Sequence, residues 1–90
     1  LRILEVGFGT GLNVLLSLIY QPSYQRIEFE TVDLDFLSHD LVSTLNYPEL
    51  LSHPQSRQWY DQLHQCPINT VQQIHDRFHF ISMLVITRFF

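Results

Sequence analysis

Ninety residues carrying five arginines, no lysine and nine acidic side chains have a net charge of −4, with histidine neutral. That balance excludes the basic face a free-standing nucleic-acid binder uses to grip phosphates. The length suits one small domain, and a single cysteine, Cys66 followed by Pro67, completes neither a disulfide framework nor a zinc site.

The chain opens on an apolar run, Leu1 to Val6, that reads as a buried strand. It leads into Glu5-Val6-Gly7-Phe8-Gly9-Thr10-Gly11, which holds all three glycines of the chain. Leu12 to Tyr20 reads as a helix, so the glycines form a strand-to-helix elbow. Glycine lacks a Cβ, and at such an elbow the main chain can turn tightly and lie against a ligand. Gln21 to Gln25, containing Pro22, is a surface connection.

Arg26 to Asp33 alternates polar and apolar residues and is rich in β-formers, which predicts a second strand. Its terminal Asp33 falls about 20 residues beyond the last glycine, where a nucleotide-binding unit keeps its ribose-binding carboxylate. A carboxylate can accept both hydrogen bonds of a cis-diol. Asp35 competes for that role, being two residues on and on the same face of a continuing strand.

Ser38 is placed to cap a helix through Leu45, with Asp40 favourable in its first turn. Pro48 fits the first turn of a further helix, and Pro54 interrupts or restarts it. From Ser56 to Gln65, Trp59, Tyr60 and Leu63 share one apolar face, which predicts packing rather than base stacking for Trp59. Cys66 to Thr70 is a second connection.

The apolar run from Phe78 to Phe90 is either a buried third strand or, from Ile81 onward, a segment foreign to the pattern, as from a frameshifted or prematurely ended reading frame. It is too short to span a bilayer and carries Arg88. With no signal-peptide pattern at the amino end, cytoplasm is the expected location.

Five histidines suggest metal binding, but His75 and His79 have a spacing that converges on a helix, and His79 falls in a predicted strand. No metal site is expected. Ser38-His39-Asp40 is no triad, because adjacent side chains seldom point together. Thr10 and Asn13, at the elbow, have better claims. Asn13 suits either a cofactor or the turn itself.

The glycine spacing separates two cofactor classes. A dinucleotide fingerprint, G-x-G-x-x-G counted from Gly7, would need its third glycine where Leu12 stands. Here the glycines fall at 7, 9 and 11 behind Glu5. That E-x-G-x-G-x-G form resembles the first motif of S-adenosylmethionine-dependent methyltransferases. Gly7-Phe8-Gly9-Thr10-Gly11-Leu12-Asn13 and Tyr47-Pro48-Glu49-Leu50 narrow the likeness. They resemble the methyltransferase domains of the tRNA 5-methylaminomethyl-2-thiouridine biosynthesis bifunctional proteins (the MnmC-like family). The similarity lies within the first 50 residues. At Asp33-Leu34-Asp35-Phe36-Leu37 the chain keeps the family's acid and lacks its Lys and Pro.

The resemblance implies an α/β, Rossmann-like methyltransferase fold. Residues 1–90 would be an incomplete, partial methyltransferase domain, supplying the first two or three strands of a doubly wound sheet. It implies S-adenosylmethionine as cofactor, held by Glu5, Gly7, Phe8, Gly9, Thr10, Gly11, Asn13 and Asp33, with Glu5 near the amino-acid end. It also implies tRNA as substrate, methylated on the aminomethyl group of a modified wobble uridine. Acceptor-side motifs lie on later strands in that family, so this portion is expected to be inactive alone. Two other readings remain: a non-catalytic remnant or interaction module of the same fold, and a nucleotide-dependent oxidoreductase, which Leu12 disfavours. An unfinished sheet leaves edges and apolar faces uncovered, which predicts self-association.

Overall fold

The computed structural model of the chain describes residues 1–37 and 39–84. In chain order the elements are β1 (Arg2–Val6), α1 (Leu12–Ile19), β2 (Ile27–Asp33), α2 (His39–Ser43), α3 (Tyr47–Leu50), α4 (Ser56–Gln65), β3 (Gln72–His75) and β4 (Phe78–Leu84). The strands form one four-stranded mixed sheet in the order β1-β2-β4-β3. β1, β2 and β4 are parallel, whereas β3 is an antiparallel hairpin partner of β4. The chain is thus a small α/β domain.

β-Branched and aromatic residues at alternate positions make β2, and they divide its two faces. Ile27, Phe29 and Thr31 are buried, while Glu28 is exposed. Phe78, Phe80 and Ser82 of β4 continue the buried face. Helices α1 and α4 cover that face together. Val14, Leu15 and Leu18 come from α1, and Trp59, Tyr60 and Leu63 from α4, at the spacing that aligns one helical stripe. Phe29 stacks against Phe78 at 6.2 Å between ring centroids, in the offset geometry aromatic quadrupoles prefer.

Several sequence expectations meet the structure here. The third parallel strand is present as β4, and its course through Leu84 shows that at least the first part of the questioned terminal run is strand. Residues 85–90, and Ser38 with its predicted cap, lie outside the described residues. Pro48 does sit in the first turn of α3, and α4 begins just past Pro54.

β1 departs from the buried strand expected. It is an edge strand covered on one face only, which leaves Leu4 and Val6 exposed at 65% and 81%. The hairpin strand β3 was not anticipated. Its residues, Gln-Gln-Ile-His, carry a single strong β-former, and pairing with β4 rather than propensity makes it a strand.

Candidate functional site

The elbow is built from the end of β1 outward. Gly7 N–H donates to Val32 O at 2.7 Å, prolonging the β1–β2 pairing into the loop. The chain then turns, with φ of +92° at Gly7, +57° at Gly9 and +83° at Gly11. All three glycines occupy backbone that L-residues rarely adopt, which explains why the glycines of this chain are spent here. Gly11 N–H closes the turn on Phe8 O at 3.1 Å, and Gly11 is the N-cap of α1. Gly11 has no side chain with which to cap that helix.

Asp33, at the carboxyl end of β2, reaches across to the loop. Its Oδ2 accepts Phe8 N–H at 2.9 Å and Gly9 N–H at 3.3 Å, while Oδ1 accepts Asp35 N–H at 3.3 Å. Partial desolvation pushes the carboxyl upward in pKa. Backbone N–H donors from Asp35, Gly9, Phe8 and Leu34 outweigh that and hold it below the ordinary aspartate value of 3.8. Asp33 is therefore an ionised clamp on the glycine loop. Asp35 is exposed and supplies only its N–H.

From beneath, α4 grips the same loop. Tyr60 Oη–H donates to Thr10 O at 2.7 Å, and His64 Nε2 lies 2.8 Å from that same oxygen. A carbonyl only accepts, so the His64 proton sits on Nε2. A Cβ on Gly11 would come within 2.9 Å of both His64 Nε2 and Phe8 Cζ, so helix and loop approach as closely as only glycine permits. Above Gly7 and Gly9, by contrast, a Cβ would meet nothing within 4 Å. The loop is closed underneath and open on top.

Glu5 stands beside it with an unfinished hydrogen-bond set. Oε1 accepts Thr31 Oγ1–H at 2.7 Å, whereas Oε2 is buried with no hydrogen-bond partner among the described residues. A buried carboxylate oxygen without a donor is costly unless something polar reaches it.

The structure thus brings Glu5, the glycine loop and Asp33 together at the carboxyl ends of two adjacent parallel strands. Phe8 is different. Its ring is buried among Phe36, Phe80 and His64, with centroids 5.5, 6.0 and 5.2 Å away, so only its main chain belongs to the loop surface. Thr10 offers its carbonyl downward to α4. Asn13 is exposed on α1, where its carbonyl accepts Ser17 Oγ–H. Sequence reasoning missed Thr31, Tyr60 and His64 as parts of the site. Tyr60 and His64 are four residues apart on one helix, so they share a face, and that spacing was the available signal.

Cys66 adds no chemistry. Burial pushes its thiol up to about 11, and its S–H points at Gln62 O, 3.0 Å away, so it is no ready nucleophile. Among the described residues no group of three or more His, Cys, Asp or Glu side chains is placed to hold a metal ion. No helix among them is long and apolar enough to cross a membrane.

Of the arginines, Arg2 pairs with Glu28 at 3.7 Å and Glu30 at 3.1 Å. Arg57 pairs with Glu49 and, at 3.2 Å, with Asp61. Comparison with protein-family models and with curated proteins finds no match.

Proposed function

We propose that the elbow is one half of an S-adenosylmethionine site. The chain would then be the cofactor-binding part of a methyltransferase acting on the aminomethyl group of a modified wobble uridine in tRNA. The observation that carries this reading is the loop itself. Its three glycines have positive φ, its upper surface is open at Gly7 and Gly9, and a carboxylate is fixed at each neighbouring strand end. The order β4-β2-β1 also matches the 3-2-1 half of a doubly wound sheet, which binds ligands outside the carboxyl ends of its strands.

The residues present suit the group. Glu5 Oε2 lacks a donor, and an ammonium group is a fitting one. Asp33 is fixed at the adjacent strand end by main-chain N–H groups, so a ribose hydroxyl would share its carboxylate oxygens with those donors. The open faces of Gly7 and Gly9 leave room for a bulky thioether portion against the main chain. When bound, the cofactor supplies an electrophilic methyl group on a sulfonium. The residues of this chain position it. Attack by a neutral amine then needs alignment and exclusion of water more than a nucleophilic side chain.

A non-catalytic interaction module is the second reading, favoured by the exposed Leu4 and Val6 on an edge strand. Calorimetry with S-adenosylhomocysteine separates the two. Micromolar binding that is lost in folded Gly9→Val and Asp33→Asn supports the cofactor site. A folded chain that binds nothing overturns it, and binding of a nicotinamide dinucleotide instead would revive the oxidoreductase reading.

A further inference from the structure

A second cleft lies at the opposite end of the sheet, where β2 and β4 begin. It has a volume of about 300 Å³, and Gln21, Ser23, His53, Trp59, His75 and Arg77 are among the residues lining it. Three connections of different origin meet there: the α1–β2 loop, the α3–α4 loop and the β3–β4 turn. None of them reaches the glycine elbow, so the cleft stands apart from the proposed cofactor site.

Trp59 organises the cleft. His53 stacks on it with ring centroids 4.9 Å apart, and His75 lies 5.7 Å away on the hairpin. Each imidazole is oriented by its own chain. His53 Nδ1 accepts Gln55 N–H at 3.1 Å, and His75 Nδ1 accepts Arg77 N–H at 3.2 Å. An Nδ1 that accepts must have its lone pair free, so both neutral rings carry their proton on Nε2. That tautomer presents two N–H donors. It also disfavours a metal ion, because an Nε2 that bears the proton has no lone pair to give.

The one side chain of fixed charge in the lining is a cation, and the rest is neutral, including a Gln21 Oε1 that is buried without a partner among the described residues. Arg77 brings a guanidinium, with no ion-pair partner among the described residues, and Ser23 a hydroxyl. No aspartate or glutamate lines the cleft, although the chain as a whole is acidic. Asp76, beside Arg77 in the turn, is exposed and outside the lining. Gln21 donates its amide N–H to Gln25 O and Arg77 O, at 2.6 and 2.9 Å, which ties the α1–β2 loop to the hairpin.

We propose that this cleft is an oxyanion site that takes a phosphate group, either free or carried on a nucleic-acid backbone. Arg77 supplies the charge, the Nε2–H groups of His53 and His75 supply directed donors, and Ser23 closes the rim. Guanidinium and phosphate match in geometry as well as charge. The site holds independently of whether the elbow binds S-adenosylmethionine.

Trp59 is the chain's single tryptophan, so its emission reports on this cleft alone. Titration with inorganic phosphate should change that emission saturably, with sodium chloride at matched ionic strength causing no such change. Arg77→Gln and Ser23→Glu should each weaken the response about tenfold, the size of one charge-assisted hydrogen bond. Both positions are exposed, so melting curves like the parent's are expected.

In the same titration the ring-proton resonances of His53 and His75 should shift while that of His64, at the elbow, stays. A response equal to that in chloride, an unchanged affinity in Arg77→Gln, or a shift confined to His64 would each overturn the proposal. Competition by a short single-stranded oligoribonucleotide assigns the phosphate to a nucleic-acid backbone, and its absence assigns the site to a free phosphate.

Discussion

At Gly11 and Gly9 the same residue type answers two different constraints. Gly11 has φ of +83° and also stands where a Cβ would overlap His64 and Phe8 at 2.9 Å, while Gly9 has φ of +57° and open space around it. Gly9→Ala should therefore cost only the left-handed penalty of about 1–2 kcal/mol, whereas Gly11→Ala adds overpacking and should cost about 2–4 kcal/mol. Urea unfolding of the two variants compares them, and equal losses would show that the contact with His64 does not constrain the loop. Asp33 offers a test by pH. Its folded pKa lies below the ordinary 3.8, so its clamp contributes fully above that value and is lost as pH falls through the lower folded value. The stability difference between the parent and Asp33→Asn should be constant above about pH 5 and shrink with acidification below it. A difference that stays flat down to acid unfolding would contradict the clamp.

The element on which most depends is α4, since it fills the core and holds the elbow from below. Leu63→Ala should cost about 2–5 kcal/mol, as for other buried leucines. Tyr60→Phe, which keeps the ring and removes the donor to Thr10 O, should cost about 1 kcal/mol. If Tyr60→Phe proves neutral in urea, the grip on the loop is not energetically significant. This helix was legible in the sequence because Trp59, Tyr60 and Leu63 repeat at helical spacing. The glycine elbow and β2 were legible for similar local reasons, a cluster of glycines and an alternation of period two. β3 was not, because Gln72 and Gln73 gain their strand geometry from β4, and a non-local partner leaves no local mark. The same holds inside the site. Residue type and distance from the glycines pointed to Asp33, but its engagement with the Phe8 and Gly9 amides depends on how β2 lies against the loop. Phe8 shows the limit most plainly: its place in the motif suggested a ligand contact, and its ring packs in the core.

For the molecule as a whole, the described residues give a sheet with helices on one face and an open edge at β1. Leu4 and Val6 project from the side that none of the described helices covers, beside the Arg2, Glu28 and Glu30 cluster. Unpaired edge groups next to exposed apolar side chains favour association. Sedimentation should show a mean mass that rises with protein concentration, and Val6→Lys should lower it by placing a charge on that side. A monomer at all concentrations would show that the charged cluster protects the edge by itself. The clamp of Asp33 on Phe8 and Gly9 has a further consequence at this scale. These two amides sit in a glycine loop, yet their acceptor belongs to a strand 25 and 24 residues along the chain, respectively. Their exchange with deuterated water should therefore be slow and should follow separation of β1 from β2 rather than local loop motion. The loop's shape is borrowed from the sheet, so the site exists only while those two strands stay joined.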